Sequence, residues 1–425
     1  MNKELEVAYN ILKEVYFNGA YASIELNHSY IENLNFNLIT KIVYGVLDFD
    51  VKLDYFISKF YKKAPKKEIK LILKIGAYLK LEINSIPNFA YVNELVELTK
   101  KSKFKPYVSF VNATLKKISS SEFSLPPKKN LRQYLSIKYS KTPWLINLML
   151  NNFDEKFVED YLSYNLTTQT HVRVNTLKIS IEEFKQKLTN LNVKFENSVL
   201  PDGLFVDYAS LVRINELFGF YTPQGIPSMI VSKNAEGSLI LDSCSAPGGK
   251  AVYVASLNKN SNVVACDVYE HRVALIEDYK QKMGVKNVQT KVLNAKFFNP
   301  EFENKFDCVI LDVPCSGLGV INKKPDILIN NDQKFLHLPT LQLEILNNNA
   351  KYVKKGGSII YSTCTILKEE NENIINEFIK NNPNFKISEV NTCGVNAVNN
   401  NGLITFYPHV SNTEGFFIGK LVRND

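Results

Sequence analysis

The sequence predicts a multidomain chain with an all-α N-terminal domain, a small connecting α/β subdomain and a C-terminal α/β domain. Before about residue 125, apolar residues recur at spacings of three and four, which is typical of amphipathic helices. After residue 226, short apolar runs alternate with helical stretches, which predicts a parallel sheet covered on both faces. The length of 425 residues also exceeds that of an ordinary single domain. The expected domain boundaries are 1–127, 131–225 and 226–425.

The N-terminal domain is expected to consist of helices and to end in a polar, proline-bearing linker at 119–129. The predicted helices are 3–17, 36–49, 51–61, 66–82, 90–100 and 107–118. Five lysines at helical spacing would form one basic face, here called the lysine stripe: Lys63, Lys66, Lys67, Lys70 and Lys74. Residues 1–130 hold 20 lysines against 13 acidic residues, so most of the net charge of +8 lies here. This charge indicates either a contact surface for RNA phosphates or a solvated lysine-rich face.

The connecting subdomain and the C-terminal domain both mix strands with helices. In the connector we expect helices at 131–138, 143–164 and 180–190, and strands at 171–175 and 204–207. In the C-terminal domain the predicted strands are 239–242, 263–267, 308–312 and 358–362. The helices predicted around these strands are 249–257, 270–283, 336–353 and 368–380.

The composition excludes several classes of protein. No run of 18 apolar residues occurs, and the charged N-terminus lacks the apolar segment of a secretory signal. All six cysteines lie after residue 243 without zinc-type spacing, so we expect reduced thiols, no metal and a cytoplasmic protein. Cys266, Cys308 and Cys393 are interpreted as core residues.

The first two strands of the C-terminal domain predict a nucleoside-binding site. Ligands of parallel sheets bind beyond the carboxyl ends of the strands. The first strand runs into Asp242-Ser-Cys-Ser-Ala-Pro-Gly-Gly-Lys250, where two adjacent glycines let the backbone approach a ligand closely. The pattern is neither a dinucleotide fingerprint nor a P-loop. Asp267 ends the second strand and could accept hydrogen bonds from both ribose hydroxyls.

Three motifs resemble those of the NOL1/NOP2/Sun family of RNA cytosine-C5 methyltransferases. They are the 242–250 motif, Asp312-Val-Pro-Cys-Ser-Gly-Leu-Gly319 with Lys324-Pro-Asp326 after it, and Ser362-Thr-Cys-Thr365, and the ending Gly415-Phe-Phe-Ile-Gly419 also matches. The resemblance covers 135–425 and implies a Rossmann-like class I methyltransferase domain that uses S-adenosylmethionine. The cofactor-binding residues that it implies are Cys244, Ser245, Ala246, Pro247, Gly248, Gly249, Lys250, Asp267, Asn294 and Asp312.

The N-terminal residues resemble a NusB-type RNA-binding domain. The similar stretches are 19–27, 43–46, 73–78, 92–95 and 110–115. A NusB-type domain ahead of the catalytic domain is similar to the bacterial Sun/RsmB-type enzymes. This arrangement implies 16S rRNA, or the assembling small ribosomal subunit, as the substrate. We expect a monomer that has no membrane partner.

Four positions depart from the family pattern. Asn294 stands where an acid usually lies near the adenine, and Ser245 replaces an alanine. Asn322 replaces a basic residue, and Gly225 replaces an acid. These changes concern contacts with the cofactor or the RNA and leave the residues of the reaction in place.

Two cysteines and an aspartate suit the methylation of a cytosine ring. Carbon 5 of cytosine is a poor nucleophile, but a thiolate added at carbon 6 directs electrons toward it. An acid near N3 must balance the developing charge. By the resemblance, Cys364 is the nucleophile, Cys315 helps to release the product and Asp312 addresses N3. The alternative is that both cysteines are core residues.

Other functions stay open at this point. A DNA cytosine-C5 methyltransferase would use the cysteine of a Pro-Cys motif as its nucleophile, and Pro314-Cys315 alone allows that. Thr363-Cys364 and the helical domain disfavour it. The substrate could also be another RNA, such as tRNA. A non-catalytic ribosome-assembly factor would bind RNA without transferring a methyl group.

Overall fold

A computed structural model of the chain describes residues 2–31, 33–164, 169–329 and 335–424. These residues form two compact units. The first unit holds the residues up to Ser163 and a later segment that begins at Ile321. The second unit begins at Tyr164 and holds the remaining residues.

The first unit is helical, as predicted. Its helices are α1 Asn2–Asn18, α2 Ala22–His28, α3 Phe36–Asp48, α4 Asp50–Ser58, α5 Lys67–Glu82, α6 Asn88–Lys101, α7 Val108–Ser120, α8 Leu131–Lys138, α9 Pro143–Asn152 and α10 Glu155–Ser163. On α3, Ile39, Ile42 and Val46 are fully buried in the core of this unit. The spacing of three and four that predicted the helices therefore marks their buried faces.

Two features of this unit differ from the prediction. The short helix α2 was not predicted, because only Ala22 and Leu26 of it are buried and the apolar period is too brief. The predicted helix 143–164 is interrupted, because Phe153 is extended and Asp154 accepts a hydrogen bond from the backbone N–H of Phe157 at 2.8 Å. That contact caps α10 as a new helix.

The first unit also extends beyond the expected boundary at residue 127. Helix α8 packs against α4, and the backbone N–H of Lys52 donates to Ser140 at 3.1 Å. The later segment joins through the 3-10 turn Pro325–Leu328, where Asp326 accepts from the backbone N–H of Ala22 at 3.3 Å. Part of the sequence expected in the C-terminal domain therefore packs with the helical unit.

The lysine stripe is only partly an exposed face. Lys63 and Lys66 precede α5, and together with Lys67 they are exposed. Lys74 is buried and ion-paired with both aspartates of α4, and Lys70 pairs with one of them at 2.9 Å. The predicted basic face is therefore wrong at Lys70 and Lys74, because acids of a neighbouring helix neutralise them.

The second unit opens with a four-stranded antiparallel sheet. Its strands are β1 Thr170–Val174, β2 Phe195–Asn197, β3 Gly203–Val206 and β4 Tyr221–Pro223, in the order β2-β3-β1-β4, with helices α11 Ile181–Asn190 and α12 Tyr208–Leu211. The strands β2 and β4 were not predicted, because three residues are too few to show a period of two.

The larger sheet of the second unit has nine strands. They are β5 Leu239–Asp242, β6 Asn262–Asp267, β7 Val288–Val292, β8 Phe306–Asp312, β9 Val353–Thr363, β10 Phe385–Ser388, β11 Val398–Asn400, β12 Leu403–Phe406 and β13 Phe416–Arg423. The helices of this region are α13 Ile226–Lys233, α14 Gly249–Leu257, α15 Glu270–Met283, α16 Leu338–Ala350, α17 Glu372–Asn381 and α18 Pro408–Ser411.

This sheet is mixed, so the prediction of a parallel sheet is correct only for its first part. The main path runs β11-β12-β13-β9-β8-β5-β6-β7, and β10 pairs with β13. Strands β5 to β9 are parallel, whereas β10 to β13 pair antiparallel. The connections between β11, β12 and β13 are too short for a parallel crossover, so these successive strands pair antiparallel. In the part of the chain that is described, no helix has the length and apolarity needed to span a membrane.

Candidate active site

The predicted site residues lie at one edge of the larger sheet. Strands β5, β6 and β8 end at Asp242, Asp267 and Asp312, and β9 ends one residue before Cys364. Asp242 is in register with Ile310 near the end of β8, and Asp312 with Ser362 near the end of β9. Because β5 lies between β6 and β8, this edge is the switch in strand order where ligands of such sheets bind.

The loop after β5 is tied to the end of β6. The backbone N–H of Ser245 donates to the carbonyl of Cys266 at 2.8 Å, and that of Ala246 to the Asp267 carboxylate at 3.2 Å. The Ala246–Pro247 peptide bond is cis. Gly248 then takes a φ of 101° and caps α14, a backbone conformation that favours glycine. Asp267 is therefore placed at the site and also orders the glycine-bearing loop.

Asp242 is a fully buried acid at the start of the loop after β5. Burial raises the pKa of Asp242 to about 7, with Lys250 opposing the rise and Asp312 adding to it. The Ser245 side chain and the Cys244 backbone are its neighbouring donors, and both act to lower its pKa. Beside it, a Cβ placed on Gly249 would meet only the Gln224 amide, at 3.8 Å. This open, acidic loop fits a ligand that carries a positive charge and hydrogen-bond donors.

Residues of the connecting subdomain also contact the loop after β5, and the sequence analysis did not predict these contacts. Arg173, which is 1% exposed, donates from Nε to the side-chain oxygen of Gln224 at 2.7 Å. The amide nitrogen of Gln224 donates in turn to the carbonyl of Gly249 at 3.3 Å. Asn175 is equally buried and donates to the carbonyl of Met283 at 2.9 Å. The small sheet therefore holds the loop after β5 in place through Arg173 and Gln224.

Lys250 and Asp312 form an ion pair at the centre of this edge. Lys250 Nζ lies 2.6 Å from Asp312 Oδ2, and the Ser362 hydroxyl donates to Asp312 Oδ1 at 2.9 Å. Burial works against a charged Lys250, but Asp312, Asp242 and Cys364 raise its pKa. Both ionic residues were expected at the site, but their pairing was not, because they are 62 positions apart.

The two predicted thiols are in contact. Cys315 Sγ and Cys364 Sγ are 3.1 Å apart, and both residues are partly exposed. All six cysteines lie in the described part of the chain, and none forms a disulfide. The hydrogen bond with Cys364 raises the pKa of Cys315, as do burial and the nearby carboxylates of Glu370 and Asp312. Cys315 therefore holds its proton more firmly than an ordinary thiol.

The other cysteines divide into two groups. Cys266 and Cys308 are fully buried in their strands, as predicted, and burial raises their pKa values to about 12 and about 11. Cys393 packs against the core of the second unit but is partly exposed, in a turn where its φ is 55°. Burial also raises the pKa of Cys244, next to Asp242. Within the described residues, no group of three or more histidine, cysteine or acidic side chains could hold a metal.

The structure shows what lies around two of the positions that depart from the family pattern, Asn294 and Gly225. Asn294 follows β7 on the same edge of the sheet, and its side-chain oxygen accepts from the backbone N–H of Lys296 at 3.0 Å. A Cβ on Gly225 would lie 2.8 Å from a carboxylate oxygen of Glu414. An acid of another segment thus occupies the space beside the position where the family usually has one.

Comparison with known proteins identifies two family models that match parts of the chain. Residues 2–120 match the NusB family, and residues 229–422 match the family described as 16S rRNA methyltransferase RsmB/F. A probable ribosomal RNA small subunit methyltransferase B of Bacillus subtilis is 28% identical over 97% of each chain. Ribosomal RNA small subunit methyltransferase B of Klebsiella pneumoniae is 28% identical over 91% of this chain and 90% of the relative.

Similarity in three dimensions extends over nearly the whole length. The crystal structure of PH0851 covers 98% of both chains with a TM-score of 0.82 and 25% identity. The matches to the two family models together account for most of the sequence. Residues 229–422 are therefore similar to the 16S rRNA methyltransferase RsmB/F family, and the NusB-family match over residues 2–120 precedes them.

Proposed function

We propose that this protein transfers a methyl group from S-adenosylmethionine to carbon 5 of a cytosine in 16S rRNA. The observation that carries the proposal is the contact between Cys315 and Cys364, 3.1 Å apart beside the Lys250–Asp312 ion pair. Two thiols and an acid are the groups that this reaction needs. The relatives named as small-subunit rRNA methyltransferases support the choice of RNA.

The charges around the two thiols differ, and this difference supports the roles proposed for them. The Lys250 ammonium interacts with Cys364, so it stabilises a negative charge on that sulfur. Cys315 faces the carboxylates of Glu370 and Asp312, which favour its protonated form. Cys364 is therefore the nucleophile, and Cys315 starts the reaction as a thiol.

The bond changes then follow in order. The Cys364 thiolate forms a bond to carbon 6 of the cytosine, and the electrons of the 5,6 double bond move toward N3. The Lys250–Asp312 pair supplies the hydrogen bonding that balances this charge. When bound, S-adenosylmethionine supplies the electrophilic methyl group that carbon 5 attacks. Asp242 and Asp267, at the ends of β5 and β6, would hold its ammonium and ribose groups.

Release requires a proton acceptor. Once Cys364 is bonded to carbon 6, it no longer raises the pKa of Cys315, which can then lose its proton to solvent. The resulting thiolate accepts the proton of carbon 5. The bond between Cys364 and carbon 6 breaks, the double bond reforms, and Cys364 leaves as a thiolate.

The function is tested with purified protein, S-adenosylmethionine and 16S rRNA. We expect bisulfite sequencing to show 5-methylcytosine at a defined position of the rRNA. Parallel reactions with assembled small subunits, tRNA and duplex DNA distinguish the alternative substrates. Methylation of tRNA or DNA in preference to rRNA would contradict the proposal, and so would the binding of rRNA without any methyl transfer.

Replacing Asp267 with alanine should weaken S-adenosylmethionine binding. We expect a loss of about 1–3 kcal/mol, the effect of leaving a hydrogen-bonded ligand group without its partner. The variant also removes the acceptor for the Ala246 N–H. Calorimetry measures the affinity, and Asp278→Ala, an exposed acid on α15, is the matched control. Equal affinities in both variants would exclude Asp267 from the binding site.

The exposed part of the lysine stripe should contribute to RNA affinity. Replacing Lys63, Lys66 and Lys67 with alanine removes three charges that phosphates can contact. We expect weaker binding of 16S rRNA and a salt dependence reduced by about 2 to 3 in log–log slope. Cofactor binding should not change, because the predicted cofactor residues lie in the other unit.

The control for this experiment is a triple variant with the same change of charge. Lysines exposed on the second unit supply it: Lys259, Lys380 and Lys386. Filter binding at several salt concentrations compares the two triples. If they lose the same affinity and slope, the lysine stripe is an ordinary solvated face.

A further inference from the structure

A buried carboxylate, Glu370, lies beside residues 314–316, here called the Cys315 loop, and forms no bond in the reaction described above. Glu370 is 1% exposed and sits in the 3-10 turn Lys368–Glu370 that follows β9. One of its oxygens accepts from the backbone N–H of Ser316, directly after Cys315, at 2.9 Å. The same oxygen accepts from the Gln342 amide at 2.9 Å.

Glu370 and Gln342 hold the Cys315 loop on both sides of the thiol. The Gln342 amide also donates to the carbonyl of Pro314, the residue before Cys315, at 2.9 Å. With the Ser316 N–H bound by Glu370, the backbone on each side of Cys315 is anchored to this buried pair. A loop held at both neighbours leaves its side chain few alternative positions.

Asn371, the residue after Glu370, holds the backbone around Cys364 in a similar way. The Thr363 hydroxyl donates to the side-chain oxygen of Asn371 at 2.6 Å, and the Asn371 amide donates to the carbonyl of Thr365 at 3.1 Å. The hydroxyl of Ser316 donates to that of Thr365 at 2.9 Å and joins the two loops. The separation of the thiols is therefore set by buried polar contacts.

We propose that Glu370 is a positioning residue that fixes the Cys315 loop and keeps a negative charge beside that thiol throughout the reaction. Burial raises the pKa of Glu370 above its ordinary value, and the hydrogen bonds from Ser316 and Gln342 oppose that rise. The reaction needs one thiolate and one thiol at the start. A fixed anion next to Cys315 favours the protonated form of that thiol, so the negative charge lies on Cys364. This inference rests on the proposed function.

Several titratable groups surround Cys315 and influence its charge. Cys364 is hydrogen-bonded to it, and Glu370 and Asp312 act through their charge. Tyr361 on β9 faces both Cys315 and Glu370, and burial raises its pKa well above the usual range. Helix α16 contributes the neutral Gln342. Glu370 is therefore an anion that can be neutralised without altering the Lys250–Asp312 pair.

The test is the pH profile of Cys315 alkylation by iodoacetamide, read by peptide mass spectrometry in the full-length protein without RNA or cofactor. Glu370→Gln preserves an acceptor for Ser316 and Gln342 but removes the charge. We expect the midpoint for Cys315 to fall by about one pH unit, so alkylation below the midpoint becomes roughly ten times faster. The Cys364 profile should move less.

Glu372→Gln is the matched control. Glu372 is also a buried glutamate whose pKa burial raises, but its hydrogen bond comes from Thr405 at 3.4 Å and not from a thiol loop. A loss of packing alone would not move the Cys315 midpoint selectively. If Glu370→Gln and Glu372→Gln give the same Cys315 profile as the unmodified protein, the inference is overturned.

Two further measurements keep the result interpretable. Should Glu370→Gln fail to fold, Gln342→Met removes a donor that partly offsets the negative charge of Glu370, so the Cys315 midpoint should rise; an unmoved midpoint there also overturns the inference. Methyl transfer by the unmodified protein is measured separately. An absence of methyl transfer would contradict the proposed function, whereas an unmoved midpoint contradicts only the role of Glu370.

Discussion

Cys364→Ala should abolish methyl transfer and leave no protein–RNA adduct on denaturing gels. Without the Cys364 sulfur, no bond to carbon 6 forms, and carbon 5 stays a poor nucleophile. The expected loss of turnover is therefore complete within the sensitivity of a methyl-transfer assay.

Cys315→Ala should have the opposite effect on the adduct. Attack by Cys364 and methyl transfer remain possible, but the proton of carbon 5 has lost its acceptor. The covalent protein–RNA complex should accumulate and migrate as a slower band, while turnover falls to a small residual rate. A gel with labelled rRNA and S-adenosylmethionine measures both variants in one experiment.

Cys393→Ala is the control for both thiol variants, because this cysteine is also partly exposed but lies in a turn after β10. It should behave as the unmodified protein does. An adduct with Cys364→Ala and none with Cys315→Ala would reverse the two roles. That outcome would favour the Pro-Cys nucleophile of the DNA cytosine-C5 methyltransferases.

Asp312→Asn should lower kcat by roughly 10²–10⁴, the range attributed to a positioned acid or base. The amide keeps the shape of the side chain but loses the negative charge that pairs with Lys250 at 2.6 Å. The ammonium is then left in a partly buried site without its partner, and hydrogen bonding toward N3 is misdirected. Single-turnover methyl transfer at saturating RNA and cofactor measures the effect.

Asp307→Asn gives a matched control on the same strand. Asp307 lies near the opposite end of β8 and pairs with Lys354 at 2.8 Å, so the substitution also breaks an aspartate–lysine pair. It should lower the thermal stability slightly and leave kcat unchanged. A similar fall in kcat for both variants would show that Asp312 acts through stability and not through the reaction.

Much of the architecture was predictable because its signals are local. Helical spacing marked the buried faces of helices such as α3, and apolar runs marked β5, β6, β8 and β9. The edge strand β7 escaped prediction because its residues are largely polar and partly exposed. The antiparallel strands β10 to β13 escaped because most are short and their pairing depends on distant partners.

The residues that gather at the carboxyl edge of the sheet could be predicted from their positions along the chain, since motifs that end parallel strands share that edge. Their contacts with one another depend on the folded arrangement. The Lys250–Asp312 pair and the 3.1 Å contact between the thiols join residues far apart in the chain. The neutralised Lys74 and the buried Glu370 likewise owe their properties to neighbouring elements. Charge and reactivity depend on such contacts, and the spacing of residues along a chain does not encode them.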